Sequence, residues 1–360
     1  MKLAEMFERF VGVGDRLRFV AFDGSSCGPK DAPSTIEVRS PVALRYLATA
    51  PNDLGLARAY VTGNLDVTGD LHAALTTLLA GPTADLTWAE RADVLRTLGP
   101  GVLRRPPRPA QEAPPPLRRG RRHSKARDAA AISHHYDVSN LFYSYVLGPS
   151  MAYTCAVFPK PDASLEEAQA EKFDLVCRKL GLEHGMRLLD VGCGWGGMVR
   201  HAVENYGVRA IGVTLSRQQA EWGAKMVAEH GMQDVAEVRF QDYRDVAETG
   251  FDAVSSIGLT EHIGVANLPK YFTFLQSRLQ PGGRLLNHCI TRPDGTGPAR
   301  TGGFIDRYIF PDGELEGPGT IASAMTDNGF ELRHGENLRE HYAFTLREWA
   351  RNLDASWDAA

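Results

Sequence analysis

The 360-residue sequence predicts an α/β protein whose larger part is a doubly wound, Rossmann-like parallel sheet. Two observations lead to this prediction. In the second half of the chain, short apolar segments alternate with helical segments, a pattern typical of parallel sheets. One apolar segment also enters a glycine-rich turn, LDVGCGWGG at 189–197, and a helical pattern follows it. The order strand, tight turn, helix presents free backbone N–H groups to a ligand at the carboxyl edge of the sheet.

Composition excludes several classes of protein. The net charge of −4 gives no support for a nucleic-acid-binding protein as a whole. No apolar run approaches the ~20 residues that a membrane-spanning helix needs. The five cysteines are scattered without a CxxC pair, which argues against a zinc module or any other metal site and favours a reducing compartment. We therefore expect a cytoplasmic protein.

Residues 1–103 are predicted to form a small α+β accessory domain. Helical periodicity and short apolar runs place its elements. The predicted helices are Met1–Val13, Val42–Ala48 and Leu54–Val61, and the predicted strands are Leu17–Ala21 and Thr35–Val38. Residues 60–67 are interpreted as a turn between elements. This region contains no catalytic cluster.

Residues 104–127 are predicted to be a mobile linker, because prolines exclude a regular helix or a central strand. Nine of these residues are Lys or Arg, and Glu112 is the one acidic residue. One interpretation is a solvated tether. The other is attraction to anionic lipid headgroups, at ~1 kcal/mol per basic residue near such a surface. Contact with RNA or DNA is less well supported, since no aromatic residues alternate with the charges.

Residues 128–360 carry the βα alternation of the parallel sheet. Helical segments come first, followed by strands with helices between them. The predicted strands are Arg187–Val191, Ala210–Thr214, Val238–Phe240, Phe251–Ser256 and Arg284–Cys289. The predicted helices are Ala129–Tyr136, Leu165–Leu180, Gln218–Glu229, Leu268–Leu279, Ile321–Asn328 and Leu346–Trp357. A ligand of such a sheet belongs at the carboxyl ends of the strands.

The residues that follow the strands indicate which ligand the glycine turn holds. A dinucleotide fold usually has an acidic residue ~20 positions after the glycines, to bind the ribose hydroxyls. Here the second strand ends in VTLS at 213–216, without an acid. The third strand ends in Gln241-Asp242, a pair placed to hydrogen-bond an adenine edge, although Asp242 could instead cap a helix or turn. The pattern favours S-adenosylmethionine over a nicotinamide cofactor.

In several motifs, the sequence resembles the cyclopropane-fatty-acid synthase family of S-adenosylmethionine-dependent methyltransferases, which includes the mycolic-acid cyclopropane synthases. The matching motifs are HYDVSN (135–140), MAYTC (151–155), LDVGCGWGG (189–197), GVTLS (212–216), QDYRD (241–245), IGLTEHIG (257–264), YIFP (308–311) and HY (341–342). The resemblance implies a class I methyltransferase domain over 128–360. It also implies that the N-terminal domain serves lipid binding or dimerisation, and relatives suggest a homodimer.

The activity that the resemblance implies is methyl transfer to the cis double bond of an unsaturated phospholipid acyl chain. Transfer leaves a carbocation, which aromatic faces can stabilise, and a base then removes a proton so that a cyclopropane ring closes. We therefore expect a cytoplasmic enzyme that associates peripherally with the inner face of the membrane. The alternative product is a methyl-branched or methylene fatty acid of the 10-methyl type. Thr260, at a position where the family often has an aromatic residue, keeps both products open.

The base that the resemblance implies is a bound bicarbonate ion, held by a small polar cluster. The matching residues are Cys155, Glu261, His288, Ile290 (through its backbone) and Tyr342. Side-chain and backbone donors in this set suit an anion, and Glu261 could orient its proton. Taken singly, Cys155 would be a small buried hydrophobe, His288 a structural histidine and Tyr342 a core aromatic. His262 is interpreted as structural.

The resemblance also implies a set of residues that bind the S-adenosylmethionine cofactor. They are Tyr136, Tyr153, Thr154, Gly192, Gly194, Thr214, Leu215, Gln219, Gln241 and Asp242. Tyr136 and Tyr153 would cover the methionine end, and Trp195 would line the site. Asp190 is expected to fix the glycine turn rather than contact the ligand.

Three alternatives to a lipid methyltransferase remain. One is a methyltransferase for a different small molecule, and the other two are a membrane-binding module and an RNA methyltransferase. A membrane-binding module that has lost catalysis would not need Glu261, His288 and Tyr342 together. An RNA methyltransferase is suggested by the basic linker alone. The fourth strand ends in Ser-Ile-Gly at 256–258, without the Asn/Asp-Pro-Pro-aromatic tetrad that amine methylation of bases tends to use.

Overall fold

The computed structural model describes residues 2–12, 15–80, 96, 99–112, 123–136, 139–293 and 300–360, apart from the side chains of a few of them. The chain divides into two compact units. The first comprises Met1–Pro115 and Gly302–Ile309, and the second comprises Pro116–Thr301 and Phe310–Ala360. The second unit has the predicted doubly wound parallel sheet, which confirms the fold class.

The first unit is a four-stranded mixed sheet covered by helices. The strand order is β2-β1-β3-β4, in which β1 and β3 are parallel and the other two pairs are antiparallel. The elements are α1 (Leu3–Phe10), β1 (Leu17–Ala21), β2 (Ser26–Cys27), β3 (Ser34–Val38), α2 (Pro41–Thr49), α3 (Asp53–Val61), β4 (Leu65–Gly69) and α4 (Leu71–Ala80). Strand β4 occupies residues that the sequence analysis interpreted partly as a turn.

The core of the first unit lies on one face of its sheet. Alternate residues of β1 and β3 are buried, as period-two side-chain orientation requires. Phe7 of α1 stacks on Phe19 of β1 with ring centroids 4.1 Å apart. Helix α2 begins with Pro41 at its first position, and the Ser40 hydroxyl accepts a hydrogen bond from the N–H of Val42. These contacts bury the apolar stripes of the helices against the sheet.

Residues 104–112, predicted to belong to a mobile linker, pack on the first unit. The Tyr46 hydroxyl donates to the carbonyl of Pro107 at 2.7 Å. Arg58 of α3 donates from Nε and Nη2 to the two carboxylate oxygens of Glu112 at 2.7 and 2.8 Å, and both residues are buried. The first unit therefore extends beyond the predicted boundary at residue 103.

The end of the predicted linker belongs to the second unit. Helix α5 (Lys125–Tyr136) begins within it. Lys125 pairs with Asp245, and Arg127 donates two hydrogen bonds to Asp312 at 2.5 and 2.8 Å. The rest of the predicted linker, residues 113–122, lies outside the described residues.

The second unit has five parallel strands in the order β7-β6-β5-β8-β9. The strands are β5 (Arg187–Val191), β6 (Arg209–Thr214), β7 (Ala236–Phe240), β8 (Phe251–Ile257) and β9 (Leu279–His288). The remaining helices are α6 (Asn140–Leu147), α7 (Leu165–Leu180), α8 (Gly197–Tyr206), α9 (Arg217–Glu229), α10 (Thr260–Ile263), α11 (Leu268–Arg278), α12 (Pro318–Thr326) and α13 (Arg339–Ala355). Helix α6 was not predicted, and α13 begins earlier than the predicted Leu346.

Helices cover both faces of this sheet. Leu188 of β5 belongs to a core cluster with Phe173 of α7 and Val199 of α8. Its neighbour Leu189 belongs to a second cluster with Phe272 of α11. Adjacent strand residues therefore serve opposite faces, as a doubly wound sheet requires. Within the described ranges, no helix has the length and apolar character needed to cross a membrane.

The Arg58–Glu112 pair generates a prediction about the first unit. We expect Glu112→Ala to lower the free energy of unfolding of this unit by ~3–5 kcal/mol, because it leaves a buried guanidinium without its partner. Urea unfolding, together with the rate of tryptic cleavage after Arg104, measures the effect. The control is Glu37→Ala, which removes one partner of the exposed Arg39 and should cost less than ~1 kcal/mol. Unchanged stability and cleavage in Glu112→Ala would show that residues 104–112 do not need this pair to pack.

Candidate active site

The glycine turn after β5 has the conformation that its sequence predicts. Gly192, Gly194 and Gly196 have φ angles of 78°, 55° and 78°, in the left-handed region that favours glycine. The N–H groups of Gly192 and Cys193 both donate to the carbonyl of Val213, which ties the turn to β6. Helix α8 starts immediately afterwards, so its N-terminus lies at the carboxyl edge of the sheet.

A cavity of about 120 Å³ lies at this edge of the sheet. It is the place where a parallel sheet is expected to hold its ligand. Eight of the ten residues predicted for the cofactor line it: Tyr153, Thr154, Gly192, Gly194, Thr214, Leu215, Gln219 and Gln241. Asp190 and Trp195 also line the cavity, as does His262, which the sequence analysis interpreted as structural. The side chain of Tyr136 lies outside the described residues.

Asp242 does not line the cavity. Its carboxylate accepts hydrogen bonds from Nε and Nη2 of Arg244 at 2.8 and 2.6 Å, and Oδ1 also accepts from the N–H of residue 244 at 2.9 Å. This arrangement is the turn cap that the sequence left open as an alternative. Arg244 lines the cavity and donates to Asp128 as well, so it stands where an adenine-facing carboxylate was expected.

Two buried charged groups lie beside the glycine turn. Asp190 accepts a hydrogen bond from the Ser255 hydroxyl at 2.7 Å, and burial raises the pKa of its carboxyl to about 6. Lys172 of α7 donates from Nζ to the hydroxyl of Thr154 at 2.9 Å, and burial lowers the pKa of its ammonium to about 7. Both line the cavity.

Sequence reasoning missed Lys172, although a signal was present. The buried positions of α7 recur at three- and four-residue spacing, from Leu165 through Ala168 and Gln169 to Lys172 and Val176. A lysine and a glutamine on an otherwise apolar stripe must find polar partners inside the protein. Searching the apolar face of each predicted helix for such residues would have identified Lys172.

Glu261 and Ile290 of the predicted catalytic cluster are in direct contact. Oε1 of Glu261 accepts a hydrogen bond from the N–H of Ile290 at 2.6 Å. In the described part of the chain, the buried Oε2 has no hydrogen-bond partner. Burial raises the pKa of the Glu261 carboxyl to about 7. Glu261 and Ile290 line a separate cavity of about 10 Å³, space for roughly one water-sized group.

Tyr342 lies within electrostatic reach of two other members of the cluster. Burial raises the pKa of its phenol, and Glu261, Tyr153 and Cys155 raise it further. Its N–H donates to the carbonyl of Leu338, which also accepts from the Cys155 thiol at 3.6 Å. Burial raises the pKa of that thiol to about 11, so Cys155 is a neutral donor rather than a thiolate at neutral pH.

His288 lies at the end of β9. It pairs with Ile257 of β8 in the sheet register, and its carbonyl accepts from the N–H of Gly258 at 2.8 Å. Burial, aided by Lys172 and Lys179, lowers the pKa of the imidazole to about 4, so the ring is neutral at neutral pH. None of the five cluster residues lines the 120 Å³ cavity. The cofactor set and the cluster therefore occupy neighbouring places at one edge of the sheet.

Fold and site together define the class of the protein: it is an S-adenosylmethionine-dependent methyltransferase with a Rossmann-like domain. Residues 123–360 match the family model described as mycolic acid cyclopropane synthetase. The chain belongs to this family, which confirms the resemblance inferred from its motifs.

Individual relatives agree with this assignment. The chain is 55% identical over 373 residues to a probable fatty acid methyltransferase of Mycobacterium tuberculosis, covering 100% of this chain and 86% of the relative. The cyclopropane synthase MmaA2 of Mycobacterium tuberculosis is a similar solved structure, with 35% identity, a TM-score of 0.59 and coverage of 65% and 85%. The mycolic acid cyclopropane synthase CmaA1, solved with SAH and CTAB, has 35% identity, a TM-score of 0.59 and coverage of 63% and 84%.

The raised pKa of Glu261 generates a prediction about stability. Its value of about 7 in the folded protein lies above the ordinary 4.5, so the neutral form is favoured on folding and stability falls as pH rises through about 7. We expect Glu261→Gln to gain stability relative to the parent between about pH 5 and pH 8.5, by up to ~3 kcal/mol. Unfolding midpoints across this range measure the change.

The control for this prediction is Glu340→Gln at an exposed position of α13, which makes the same substitution without changing a buried site. Asp190 and Lys172 titrate in the same range in the parent and in both variants, so their contributions cancel. A difference between Glu261→Gln and the parent that is constant with pH would contradict the raised pKa.

Proposed function

We propose that the enzyme transfers a methyl group from S-adenosylmethionine to the cis double bond of an unsaturated phospholipid acyl chain and closes a cyclopropane ring. The observation that carries the proposal is the buried Glu261 cluster beside the cofactor cavity. A methyltransferase acting on an amine or hydroxyl needs no base for a carbon-bound proton. A buried carboxyl that keeps one oxygen without a hydrogen-bond partner among the described residues, with the phenol of Tyr342 within electrostatic reach, suits a site that must remove such a proton.

The proposed reaction joins the methyl carbon of the cofactor to both carbons of the alkene and releases one proton. The bound cofactor supplies an electrophilic methyl group on a sulfonium. As the sulfur–methyl bond breaks, the alkene forms a carbon–carbon bond to that methyl group and its second carbon becomes cationic. The methyl carbon then loses a proton to a base, and the electron pair released closes the ring. The products are S-adenosylhomocysteine, the cyclopropane lipid and a proton.

Aromatic rings around Tyr153 support the cationic step. Its ring centroid lies 5.1 Å from Trp349, 5.6 Å from Tyr143 and 6.3 Å from Phe310. Tyr342 lies 6.1 Å from Trp349. Ring faces attract a cation without competing for it as nucleophiles, and the closed packing keeps water away from it. Tyr153 connects these rings to the cofactor cavity, which it lines.

We further propose bicarbonate as the base. Among the described residues, the buried Oε2 of Glu261 has no hydrogen-bond donor, and the O–H of bicarbonate would supply one. The phenol of Tyr342, the neutral His288 and the thiol of Cys155 would donate to its other oxygens. When bound, the anion would supply the base for the methyl-derived proton. Because the cavity beside Glu261 is about 10 Å³, the neighbouring side chains would have to move apart to admit it.

A second product class is supported by one comparison. The 55% identical relative is named a fatty acid methyltransferase, not a cyclopropane synthase. Thr260, the departure noted in the sequence, donates to Asn287 at 2.7 Å and leaves no aromatic ring at that position. With weaker aromatic stabilisation, the secondary cation would be more prone to a 1,2-hydride shift that places the charge on the methyl-bearing carbon, after which loss of a proton from the methyl group yields a methylene branch.

The central test uses phospholipid vesicles with monounsaturated chains and isotopically labelled S-adenosylmethionine. We expect labelled acyl chains heavier by one CH₂ unit that resist ozone, as a ring does. An ozone-sensitive product of the same mass would instead establish the methylene alternative. Free monounsaturated fatty acid serves as a parallel substrate. Absence of label from every lipid would refute the proposed function.

Glu261→Gln tests the role of the cluster in the same assay. We expect kcat to fall by ~10²–10⁴-fold, typical of losing an acid–base group, with cofactor affinity unchanged. Glu340→Gln is the matched control and should keep full activity. Removing bicarbonate from the buffer should slow the parent enzyme but not the variant. Full activity of Glu261→Gln would exclude the cluster from the reaction.

We also propose that the basic stretch 104–127 draws the enzyme to anionic membrane surfaces. Replacing Arg118 and Arg119 by Gln should weaken binding to anionic vesicles by ~30-fold, at ~1 kcal/mol per residue. The matched control replaces Arg333 and Arg351, which are exposed elsewhere in the second unit. Sedimentation with vesicles at low and high salt measures the effect, and binding that ignores salt would contradict it.

A further inference from the structure

Lys172 is a buried cation that faces the cofactor cavity. Its side chain is 2% exposed, and Nζ donates to the hydroxyl of Thr154 at 2.9 Å. Among the described residues, no carboxylate lies within ion-pair distance of Nζ. Asp190 acts on Lys172 through its charge alone, and its carboxylate accepts its hydrogen bond from Ser255. Burying an ammonium is costly unless an anion compensates it. The cavity that Lys172 lines is the place where such an anion could lie.

The hydrogen bond to Thr154 has a defined direction. An ammonium can only donate, so the Thr154 oxygen is the acceptor and its own O–H proton must point elsewhere. Thr154 lines the cavity. Gln169, one turn earlier on α7, donates to the carbonyl of Thr154 at 3.0 Å and holds the backbone in place. Helix α7 therefore fixes a hydroxyl donor that can serve an acceptor in the cavity.

We propose that Lys172, acting through Thr154, is a positioning residue for the carboxylate at the methionine end of the methyl donor. This inference rests on the proposed cofactor and deepens it. The carboxylate is the one anionic group on S-adenosylmethionine or S-adenosylhomocysteine, since adenine and ribose are neutral. A hydroxyl polarised by an ammonium donates a stronger hydrogen bond than an isolated one. Anchoring the carboxylate fixes the direction in which the sulfonium methyl group points.

The titratable groups that interact electrostatically with Lys172 are Asp190 of β5, Cys155 after Thr154, His288 of β9 and His201 of α8. Bicarbonate held by the catalytic cluster would be an alternative anion of similar chemistry. The two are distinguished by a binding experiment, without turnover, that compares S-adenosylhomocysteine with 5′-methylthioadenosine. The second ligand keeps the adenosine and sulfur but lacks the amino-acid group.

The test measures the dissociation constants of both ligands by calorimetry in bicarbonate-free buffer. We expect Lys172→Met to weaken S-adenosylhomocysteine by ~10–100-fold, the range for a charge-assisted hydrogen bond, and 5′-methylthioadenosine by less than ~3-fold. The matched control is Lys179→Met on the same helix, whose ammonium pairs with Glu336. It should leave both constants unchanged.

Thr154 supplies a second, milder pair of variants. Thr154→Val removes the hydroxyl at nearly constant volume and should weaken S-adenosylhomocysteine selectively, whereas Thr154→Ser should retain its affinity. The losses in Thr154→Val and Lys172→Met should not add in the double variant, because the residues act in series. These measurements decide the question even if Lys172→Met fails to fold.

Equal weakening of both ligands would assign Lys172 to packing and overturn the inference. Unchanged S-adenosylhomocysteine binding, combined with loss of bicarbonate-dependent activity, would overturn it in favour of the bicarbonate alternative. A parent protein that binds neither ligand would refute the cofactor assignment itself. If the enzyme binds S-adenosylhomocysteine as expected but labels no lipid, the proposed function is refuted and the role of Lys172 in cofactor binding is not. The two proposals can therefore be refuted separately.

Discussion

The short segment 152–156 is held by hydrogen bonds from buried side chains, and the arrangement of the site depends on it. Gln169 donates to the carbonyls of Ala152 and Thr154 at 3.3 and 3.0 Å. Lys172 donates to the Thr154 hydroxyl, and the hydroxyl of Thr345 on α13 accepts from the N–H of Ala156 at 3.0 Å. A segment without a regular backbone ladder must satisfy its polar groups in this way once it is buried. Helices α7 and α13 thereby fix the position of Tyr153, which lines the cavity.

Burial also determines the charge of the site. It lowers the pKa of His262 and His288 to about 4 and of Lys172 to about 7, and raises that of Asp190 to about 6 and Glu261 to about 7. In each case burial favours the neutral form of the side chain over the charged form. A reaction that creates a carbocation from a neutral alkene benefits from such surroundings, because they contain few competing charges and little water. Because little water screens them, the charges that remain in the site act strongly on neighbouring groups.

The sequence predicted the features that depend on local pattern. The strands of the second unit and the glycine turn follow from periodicity and glycine spacing, and the matching motifs selected eight residues that line the cavity. Features that depend on the partner of an individual side chain were less predictable. Glu112 looked like one acid in a basic linker, but Arg58, 54 residues earlier, buries it. Asp242 looked ready for a ligand, but the side chain two positions later, Arg244, occupies its carboxylate. Lys172 was not singled out, because its partner Thr154 lies outside the helix.

Thr154 and Cys155 are neighbours in the chain, and they contribute to two different parts of the site. Thr154 lines the cofactor cavity, while the Cys155 thiol donates to the carbonyls of Ala156 and Leu338 beside Tyr342. One peptide bond therefore joins the place of the methyl donor to the place where a proton would be removed. Gln169 and Lys172 hold this peptide from one side, and Thr345 holds it from the other. A displacement of Thr154 must therefore displace Cys155, and the reverse is also true. In the proposed reaction, the distance between methyl donor and base would therefore depend on the backbone itself, whose geometry varies far less than that of side chains.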